Sequence, residues 1–205
     1  MKHINCVQYS DEWVQLRFGR VTASSLHRIF TPQKLELSKQ ADSYMYELLA
    51  ESRLQAPIKQ ELTLWAVERG REYEQEACDF FSMTTGITPQ ECGFFVTDCG
   101  RIGASPDRLL PNGEILEIKN HLANIHLEYL FAGTLPADHR LQIQGQLYVT
   151  QFECCKLLLY HPGLPPLLIS VYPDPKIQAR LHEGLTAFCD RLDAMKLKLT
   201  AMYES

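Results

Sequence analysis

The sequence predicts an α/β or α+β fold in which a central mixed β-sheet is flanked by helices. Three observations support this: amphipathic helical patterns near both ends of the chain, short strand-like apolar runs between them, and one further helical pattern among those runs. The order of the strands stays open. No internal repeat, low-complexity tract or linker interrupts the sequence, so we expect one domain over residues 1–205.

The N-terminal part is predicted to be helical. Ser10 or Asp11 is a candidate cap for one short helix, and Thr22 for a second helix that runs through Phe30. The polar segment Pro32–Gln40 is predicted to be a loop.

Helical spacing returns at Tyr44, Leu48 and Leu49 and is clearest from Leu62 to Phe81. The predicted apolar stripe of the latter helix comprises Leu62, Trp65, Ala66, Tyr73, Ala77 and Phe80.

The remaining elements alternate between strands and helices. The predicted strands are Phe94–Thr97, Arg101–Ala104, Glu114–Lys119, Lys156–His161 and Leu167–Tyr172. A helix is predicted across Arg140–Val149. A long amphipathic helix closes the chain, with an apolar face formed by Ile177, Leu181, Leu185, Phe188, Leu192, Met195 and Leu199.

The Pro-Asn-Gly turn at residues 111–113 predicts a β-hairpin between two short apolar runs. Side chains alternate between the two faces of a strand. Glu117 and Lys119 are therefore expected on one face, and Leu116 and Ile118 on the other.

Asp107 would meet Glu117 and Lys119 at the open end of this hairpin. Two carboxylates and an ammonium suit a magnesium-dependent phosphodiesterase, which needs oxygen ligands for a hard cation and a positive charge beside the phosphate. The alternative is a surface hairpin with an ion pair worth a few tenths of a kcal/mol. Apolar Ile115 shares the face of Glu117, which argues against a fully solvated surface.

Composition places the chain among globular proteins, with 45% hydrophobic and 22% charged residues. No apolar run approaches the roughly 18 residues of a membrane span, and residues 1–13 lack the apolar core of a signal peptide. We therefore expect a cytoplasmic protein without membrane contact. The seven cysteines form no CxxC pair and are expected to be reduced and mostly buried. His121, His126 and His139 are interpreted as surface or loop residues, not metal ligands.

The formal net charge of −5 disfavours a protein that coats nucleic acid through its overall charge. It is compatible with an enzyme whose basic residues face one channel, particularly if several subunits share that channel.

Five motifs together resemble one nuclease family. They are WxxLRxGxxTAS at residues 13–24, GxxYE at 70–74, SPD at 105–107, ExK at 117–119 and QxQ within 142–146. In this order they resemble the phage lambda-type exonuclease branch (YqaJ-like viral recombinases) of the PD-(D/E)xK nuclease superfamily. The resemblance implies a restriction-endonuclease-like core.

The resemblance also implies roles for the central acids. Asp107, Glu117 and the backbone carbonyl of Ile118 would hold Mg²⁺, with Mn²⁺ as an alternative, and Lys119 would orient the attacking water. Glu74 would help to hold a second ion, so that two ions occupy each site. Glu74 lies among other acids of its helix, which is also typical of a solvated helix face.

Gln144 would be the active-site glutamine, and Arg17, Ser24 and Ser105 would bind a terminal 5′-phosphate. Each of these residues has a structural alternative: an exposed helix glutamine, a surface ion pair, a helix cap and a turn residue, respectively.

The activity that the resemblance implies is 5′→3′ digestion of linear double-stranded DNA, which leaves 3′ single-stranded tails. It further implies a ring-shaped homotrimer, a single-strand annealing protein as partner and a location in a bacterial or phage-infected cell. Two alternatives stay open. One is another nuclease of the superfamily, such as a Cas4- or RecB-like iron–sulfur enzyme, for which the cysteines are too scattered; the other is a non-catalytic protein that binds DNA ends.

Overall fold

The computed structural model describes the backbone of residues 1–58 and 64–204, and the side chains of residues 1–58 and 73–203. Its helices are α1 (Asp11–Arg17), α2 (Ala41–Leu54), α3 (Leu64–Thr85), α4 (Ala123–Ala132), α5 (Ala137–Thr150) and α6 (Pro175–Glu204), with a 3-10 helix at Ala23–Arg28. Its strands are β1 (Lys2–Ile4), β2 (Val21–Thr22), β3 (Gln90–Glu91), β4 (Phe94–Val96), β5 (Ile102–Ala104), β6 (Arg108–Leu109), β7 (Ile115–Asn120), β8 (Cys155–Tyr160) and β9 (Leu167–Val171).

The predicted mixed β-structure with flanking helices is confirmed. In the part of the chain that the structure describes, the strands hydrogen-bond as two sheets, ordered β1-β4-β5-β2 and β3-β6-β7-β8-β9. Each sheet contains one parallel pair, β2 with β5 and β7 with β8. The chain passes from one sheet to the other through Ser105-Pro106-Asp107, where Pro106 lacks the backbone N–H needed to continue a ladder.

The predicted hairpin is formed by β6 and β7. Arg108 pairs with Leu116 in antiparallel register, and the turn closes with a hydrogen bond from the Leu110 N–H to the Glu114 carbonyl of 2.9 Å. Gly113 has a φ of +78°, in the left-handed region that glycine adopts without steric cost. The turn chemistry visible in the sequence therefore sets the register of the site-bearing strand.

Strand β7 lies between helices α3 and α5, and its successive side chains point alternately towards one helix and the other. Leu116 and Ile118 pack in the cluster that contains Ala77 and Phe81 of α3. Ile115 packs in the opposite cluster, with Ile143 and Leu147 of α5. Glu117 and Lys119 share the face of Ile115, so they are directed towards α5 and not towards solvent.

The largest core cluster joins the N-terminal half to the closing helix. The apolar residues of α6 from Ile177 to Met195 pack there against α2 and the 3-10 helix, as the sequence pattern predicts. Leu62 lies outside the described residues, and the side chains of Trp65 and Ala66 lie outside those described. Ala77 of the same predicted stripe is buried.

Two local differences from the sequence prediction have physical causes. Thr22 precedes a short 3-10 helix at its N-cap position, but its side chain makes no capping hydrogen bond, because its hydroxyl bonds to the hydroxyls of Ser24 and Ser25. Helix α4 was not predicted; it has a weakly segregated apolar pattern and exposes Phe131. Ser10 caps α1 as predicted, since its hydroxyl accepts from the Trp13 N–H at 3.2 Å.

All seven cysteines are free thiols, five of them buried. Among the helices that the structure describes, none combines the length and apolar character needed to cross a membrane.

Gly145 allows α5 to approach the 3-10 helix closely. A Cβ added at Gly145 would lie 2.3 Å from Cδ1 of Leu26, which is itself buried. This approach fixes the position of the helix that faces Glu117.

Gly145→Val is expected to lower the free energy of unfolding by about 1–3 kcal/mol, because the added methyl groups overpack this contact. Chemical denaturation measures the change. The matched control is Gly163→Val, where an added Cβ would come no nearer than 3.8 Å to a neighbour. Equal effects at the two positions would contradict the close approach.

Candidate functional site

Asp107 is held against the strand that carries Glu117. Its Oδ2 accepts a hydrogen bond of 2.6 Å from the Ile118 N–H, so the carboxylate lies across the open end of the hairpin. The hairpin register and Pro106 together fix this position, since β6 begins immediately after Asp107. The sequence-based expectation that Asp107 and the ExK strand converge is met.

Glu117 is the central group of the site and is only 1% exposed. Its Oε1 accepts from Lys119 Nζ and from Gln142 Nε2, each at 2.6 Å. Its Oε2 accepts from Gln146 Nε2 at 2.6 Å. A buried carboxylate requires such donors, because an isolated buried charge costs several kcal/mol.

The carboxylates and the ammonium act on each other's ionisation. Burial and then the negative charge of Glu117 hold the pKa of Asp107 well above its ordinary range. Burial works against the charged form of Lys119, but the carboxylates of Glu117 and Asp107 outweigh it and raise the pKa of this ammonium. Lys119 is therefore positively charged at neutral pH.

Glu74 reaches the same region from α3. Arg108 bonds through Nη1 to Glu74 Oε1 and, at 2.7 Å, to the backbone carbonyl of Asp107. Glu74 and Asp107 both line a cavity of about 280 Å³. Glu76 points elsewhere, since it accepts a 2.7 Å hydrogen bond from the Tyr160 hydroxyl. Of these two acids, Glu74 is the one on the side of the carboxylates.

Arg17, Ser24 and Ser105 are connected through Trp13. Arg17 Nη2 donates to Ser24 Oγ at 3.3 Å, and the guanidinium lies 4.3 Å from the centroid of the Trp13 ring. Trp13 Nε1 donates to Ser105 Oγ at 2.8 Å. Ser105 lies two residues before Asp107, so this polar group borders the carboxylates. A planar cation with nearby hydroxyls is suited to binding a phosphate.

The structure does not bring Gln144 to the carboxylates, which corrects the sequence-based placement. Gln144 is 2% exposed; it donates to the Tyr172 carbonyl at 2.8 Å and accepts from the Asp174 N–H at 2.9 Å. Residues four apart share a helix face, whereas residues two apart do not. Gln142 and Gln146 therefore face Glu117, and Gln144 faces the connection between β9 and α6.

Sequence reasoning missed Gln142 and Gln146, although their i, i+4 spacing was a usable signal. It also set aside His139, which lies one turn before Gln142. His139 Nε2 and His121 Nε2 are 3.0 Å apart and form a hydrogen bond. Burial, followed by the charge of Lys119, lowers the pKa of His139 to about 4, so His139 is neutral at neutral pH.

The residues that could hold a cation are those with oxygen donors. Among the described residues, no three His, Cys, Asp or Glu side chains form a metal-binding group, which also leaves the scattered cysteines without an iron–sulfur arrangement. The donors available at the hairpin are the carboxylates of Asp107 and Glu117 and the carbonyl of Ile118. Gln146 Oε1 is buried without a hydrogen-bond partner beside them. This oxygen set, with mutually repelling carboxylates, suits a hard divalent cation.

The sequence matches the model of the YqaJ-like viral recombinase domain over residues 12–153. The chain belongs to the YqaJ-like viral recombinase family. The match contains the motifs at Arg17, Ser24, Glu74, Asp107 and Glu117. In the structure Glu74 and Asp107 line one cavity, Arg17 and Ser24 belong to the adjoining polar group, and Glu117 is buried on the strand to which Asp107 bonds. A comparison with curated proteins finds no match.

Solved structures of exonucleases are similar to this chain. An alkaline exonuclease (LHK-Exo) from Laribacter hongkongensis is similar with a TM-score of 0.82 and 27% identity, covering 96% of this chain and 100% of that chain. The same enzyme in complex with dAMP is similar with a TM-score of 0.81 and 28% identity over the same shares. A phage-related exonuclease from Haemophilus somnus 129PT shares the fold, with a TM-score of 0.66 and 15% identity over 91% of this chain and 99% of that one.

Asp107→Asn is expected to stabilise the metal-free protein increasingly as the pH rises. A raised pKa means that the folded state binds the proton more tightly than the unfolded state does. The free energy of unfolding therefore falls as the pH rises from the ordinary pKa of a carboxyl group to the higher pKa of Asp107 in the folded state. Asparagine keeps the acceptor for the Ile118 N–H without this cost.

Thermal unfolding in a chelator, at pH 4 and pH 8, measures the difference. Each kcal/mol corresponds to about 2–4 °C for a chain of this length. A larger gain at pH 4 than at pH 8 would contradict the assigned cause.

Proposed function

We propose that this protein is a magnesium-dependent 5′→3′ exonuclease that acts on linear double-stranded DNA. It prefers 5′-phosphorylated ends and leaves 3′ single-stranded tails for phage-type homologous recombination. The observation that carries the proposal is the convergence of Asp107, Glu117 and Lys119 beside the polar group of Arg17 and Ser24. The family membership and the similarity to alkaline exonuclease support it.

The complex of LHK-Exo with dAMP adds support for the chemistry. A deoxynucleoside monophosphate is the kind of product that stepwise hydrolysis of a DNA strand releases. Similar geometry in this chain favours the same class of substrate.

Asp107, Glu117 and the Ile118 carbonyl would hold the Mg²⁺, or Mn²⁺ in its place. When bound, the cation polarises the phosphate and neutralises negative charge in the transition state. Lys119 is charged and held by Glu117, so it orients the attacking water and stabilises charge on the phosphoryl oxygens. Gln142 and Gln146 fix Glu117 in place. Glu74 would hold a second ion only in competition with Arg108, which bonds to the same carboxylate.

Arg17, Ser24 and Ser105 give the proposed end preference its physical basis. A terminal phosphate carries more negative charge than an internal phosphodiester and offers more acceptor oxygens. Arg17 is buried enough that its pKa is lowered, which shows a guanidinium with reduced hydration. A partly dehydrated guanidinium attracts a phosphate more strongly than a fully solvated guanidinium does.

The assembly and the partner are further parts of this proposal. A ring-shaped homotrimer would pool the basic residues of three net-acidic chains, each of formal charge −5, around one DNA duplex. A single-strand annealing protein would receive the 3′ tail in the cytoplasm of a bacterial or phage-infected cell.

Digestion of linear duplex DNA tests the proposal. With Mg²⁺ present, we expect strands with a 5′-phosphate to be degraded faster than strands with a 5′-hydroxyl, and Asp107→Ala to abolish degradation. End-labelled substrates, labelled separately at the 5′ and 3′ ends, report the polarity. A chelator should stop the reaction.

Arg17→Ala is the matched variant for the end preference. It should raise KM for 5′-phosphorylated DNA by about tenfold or more, the equivalent of one hydrogen bond to a charged group, and leave 5′-hydroxyl DNA nearly unaffected. Cleavage of circular DNA, or indifference to end chemistry, would overturn the end-binding assignment. Absence of cleavage with Mg²⁺ or Mn²⁺ would favour a non-catalytic end-binding protein.

Gln142→Ala is expected to lower the free energy of unfolding by about 1–3 kcal/mol, because it removes a hydrogen bond from the buried Glu117 carboxylate. It should also lower kcat by about 10- to 100-fold, because Glu117 is then held less firmly. Gln144→Ala should lower the free energy of unfolding by a similar amount of about 1–3 kcal/mol, since it leaves buried polar groups without partners, but should leave kcat nearly unchanged. Measurements of kcat and of the free energy of unfolding for both variants test this difference. A larger kcat effect at Gln144 would restore the sequence-based placement.

A further inference from the structure

The turn at residues 7–10 holds Tyr9 in an unusual conformation. Both the N–H and the hydroxyl of Ser10 donate to the Val7 carbonyl, at 3.2 and 2.6 Å, and Tyr9 has a φ of +67°. For a residue other than glycine this left-handed conformation is strained. Such strain is most often retained at functional positions.

This turn is anchored to the segment that carries Asp107. Gln8 Nε2 donates to the Cys92 carbonyl at 2.8 Å and to the Pro106 carbonyl at 2.7 Å. Pro106 directly precedes Asp107. The position of Tyr9 is thereby fixed relative to the carboxylates.

Tyr9 extends the aromatic surface that begins at Trp13. The two ring centroids are 5.0 Å apart with an interplanar angle of 39°, and Tyr9 remains 44% exposed. Trp13 in turn contacts the guanidinium of Arg17 and the hydroxyl of Ser105. An exposed aromatic ring therefore adjoins the polar group assigned to the terminal phosphate.

Tyr9 also borders the catalytic carboxylates. It lines the 280 Å³ cavity together with Glu74 and Asp107. Tyr9 also interacts electrostatically with both cations: it partly opposes the lowering of the pKa of Arg17 by burial, and it adds slightly to the raised pKa of Lys119, which is caused mainly by Glu117 and Asp107. Tyr9 thus lies where the phosphate group and the carboxylates meet.

We propose that Tyr9 is a nucleobase-binding residue, whose exposed ring stacks on the base of the terminal nucleotide while Arg17 and Ser24 hold its 5′-phosphate. This inference rests on the proposed action on DNA ends. Stacking on an aromatic ring strengthens binding and tolerates every base. It suits an enzyme that meets all four bases in turn, and it offsets the strain stored at Tyr9.

A binding cycle tests the contact directly. The ligands are two 5′-phosphorylated DNA duplexes that differ only in the 5′-terminal nucleotide, which carries a base in one and is abasic in the other. Fluorescence anisotropy in a chelator measures affinity without cleavage. The unsubstituted chain should bind the intact end about 5- to 100-fold more tightly, as stacking energies imply, and Tyr9→Gly should bind both ends equally.

Stability separates this role from a purely structural one. Tyr9→Gly relieves the left-handed strain, so its thermal unfolding midpoint should be unchanged or higher. Tyr9→Asn, which tolerates the same conformation, serves as a second variant without a ring. Tyr9→Phe should keep the preference for the intact end.

The outcomes distinguish the two proposals. Equal binding of both ends by the unsubstituted chain, or equal loss of affinity for both ends in Tyr9→Gly, would overturn the nucleobase contact even if DNA is degraded. A preference for the intact end that disappears in Tyr9→Gly would uphold it even if no cleavage occurs, and only the exonuclease proposal would then fail.

Discussion

The rest of the site depends on the burial of one carboxylate, that of Glu117. An acid with 1% exposure needs donors on both oxygens, and these come from its own strand and from one face of α5. This requirement fixes the distance and rotation of α5 relative to β7. Gly145, on an adjoining side of the same helix, allows a close approach to the 3-10 helix. The charge and the packing therefore specify the same helix position.

A second set of contacts joins the polar group of Arg17, Ser24 and Ser105 to the carboxylates. Trp13 connects Arg17 to Ser105, and Ser105 is followed by Pro106 and Asp107. Gln8 adds a separate connection through the Pro106 carbonyl. The N-terminal segment, remote in sequence from the hairpin, is thereby positioned against it. The proposed recognition of a DNA end, with hydrolysis close to it, would require this fixed spacing.

The sequence prediction succeeded where the structure depends on residues close together in the chain, and it failed where distant segments meet. The hairpin was predictable because a Pro-Asn-Gly turn and strand alternation act over a few residues, and they placed Glu117 and Lys119 on one face. Gln144 was misplaced because a motif match identifies a residue type but does not say which side of the helix faces the site. The i, i+4 spacing of Gln142 and Gln146 did contain that information, since residues four apart share a helix face. The separation into two sheets was not predicted, since strand pairing joins distant segments.

The sequence by itself determined the mixed class of fold, the hairpin, the amphipathic closing helix and the family, because periodicity, turn residues and motif order are local properties. Only the tertiary structure decided which glutamines bind Glu117, that Arg108 holds Glu74, and that Tyr9 lines the cavity of Glu74 and Asp107. These pairings depend on how elements far apart in the chain pack together. The pairings are set by helix rotation and by burial, and both of these result from the packing of the whole core and not from any one segment.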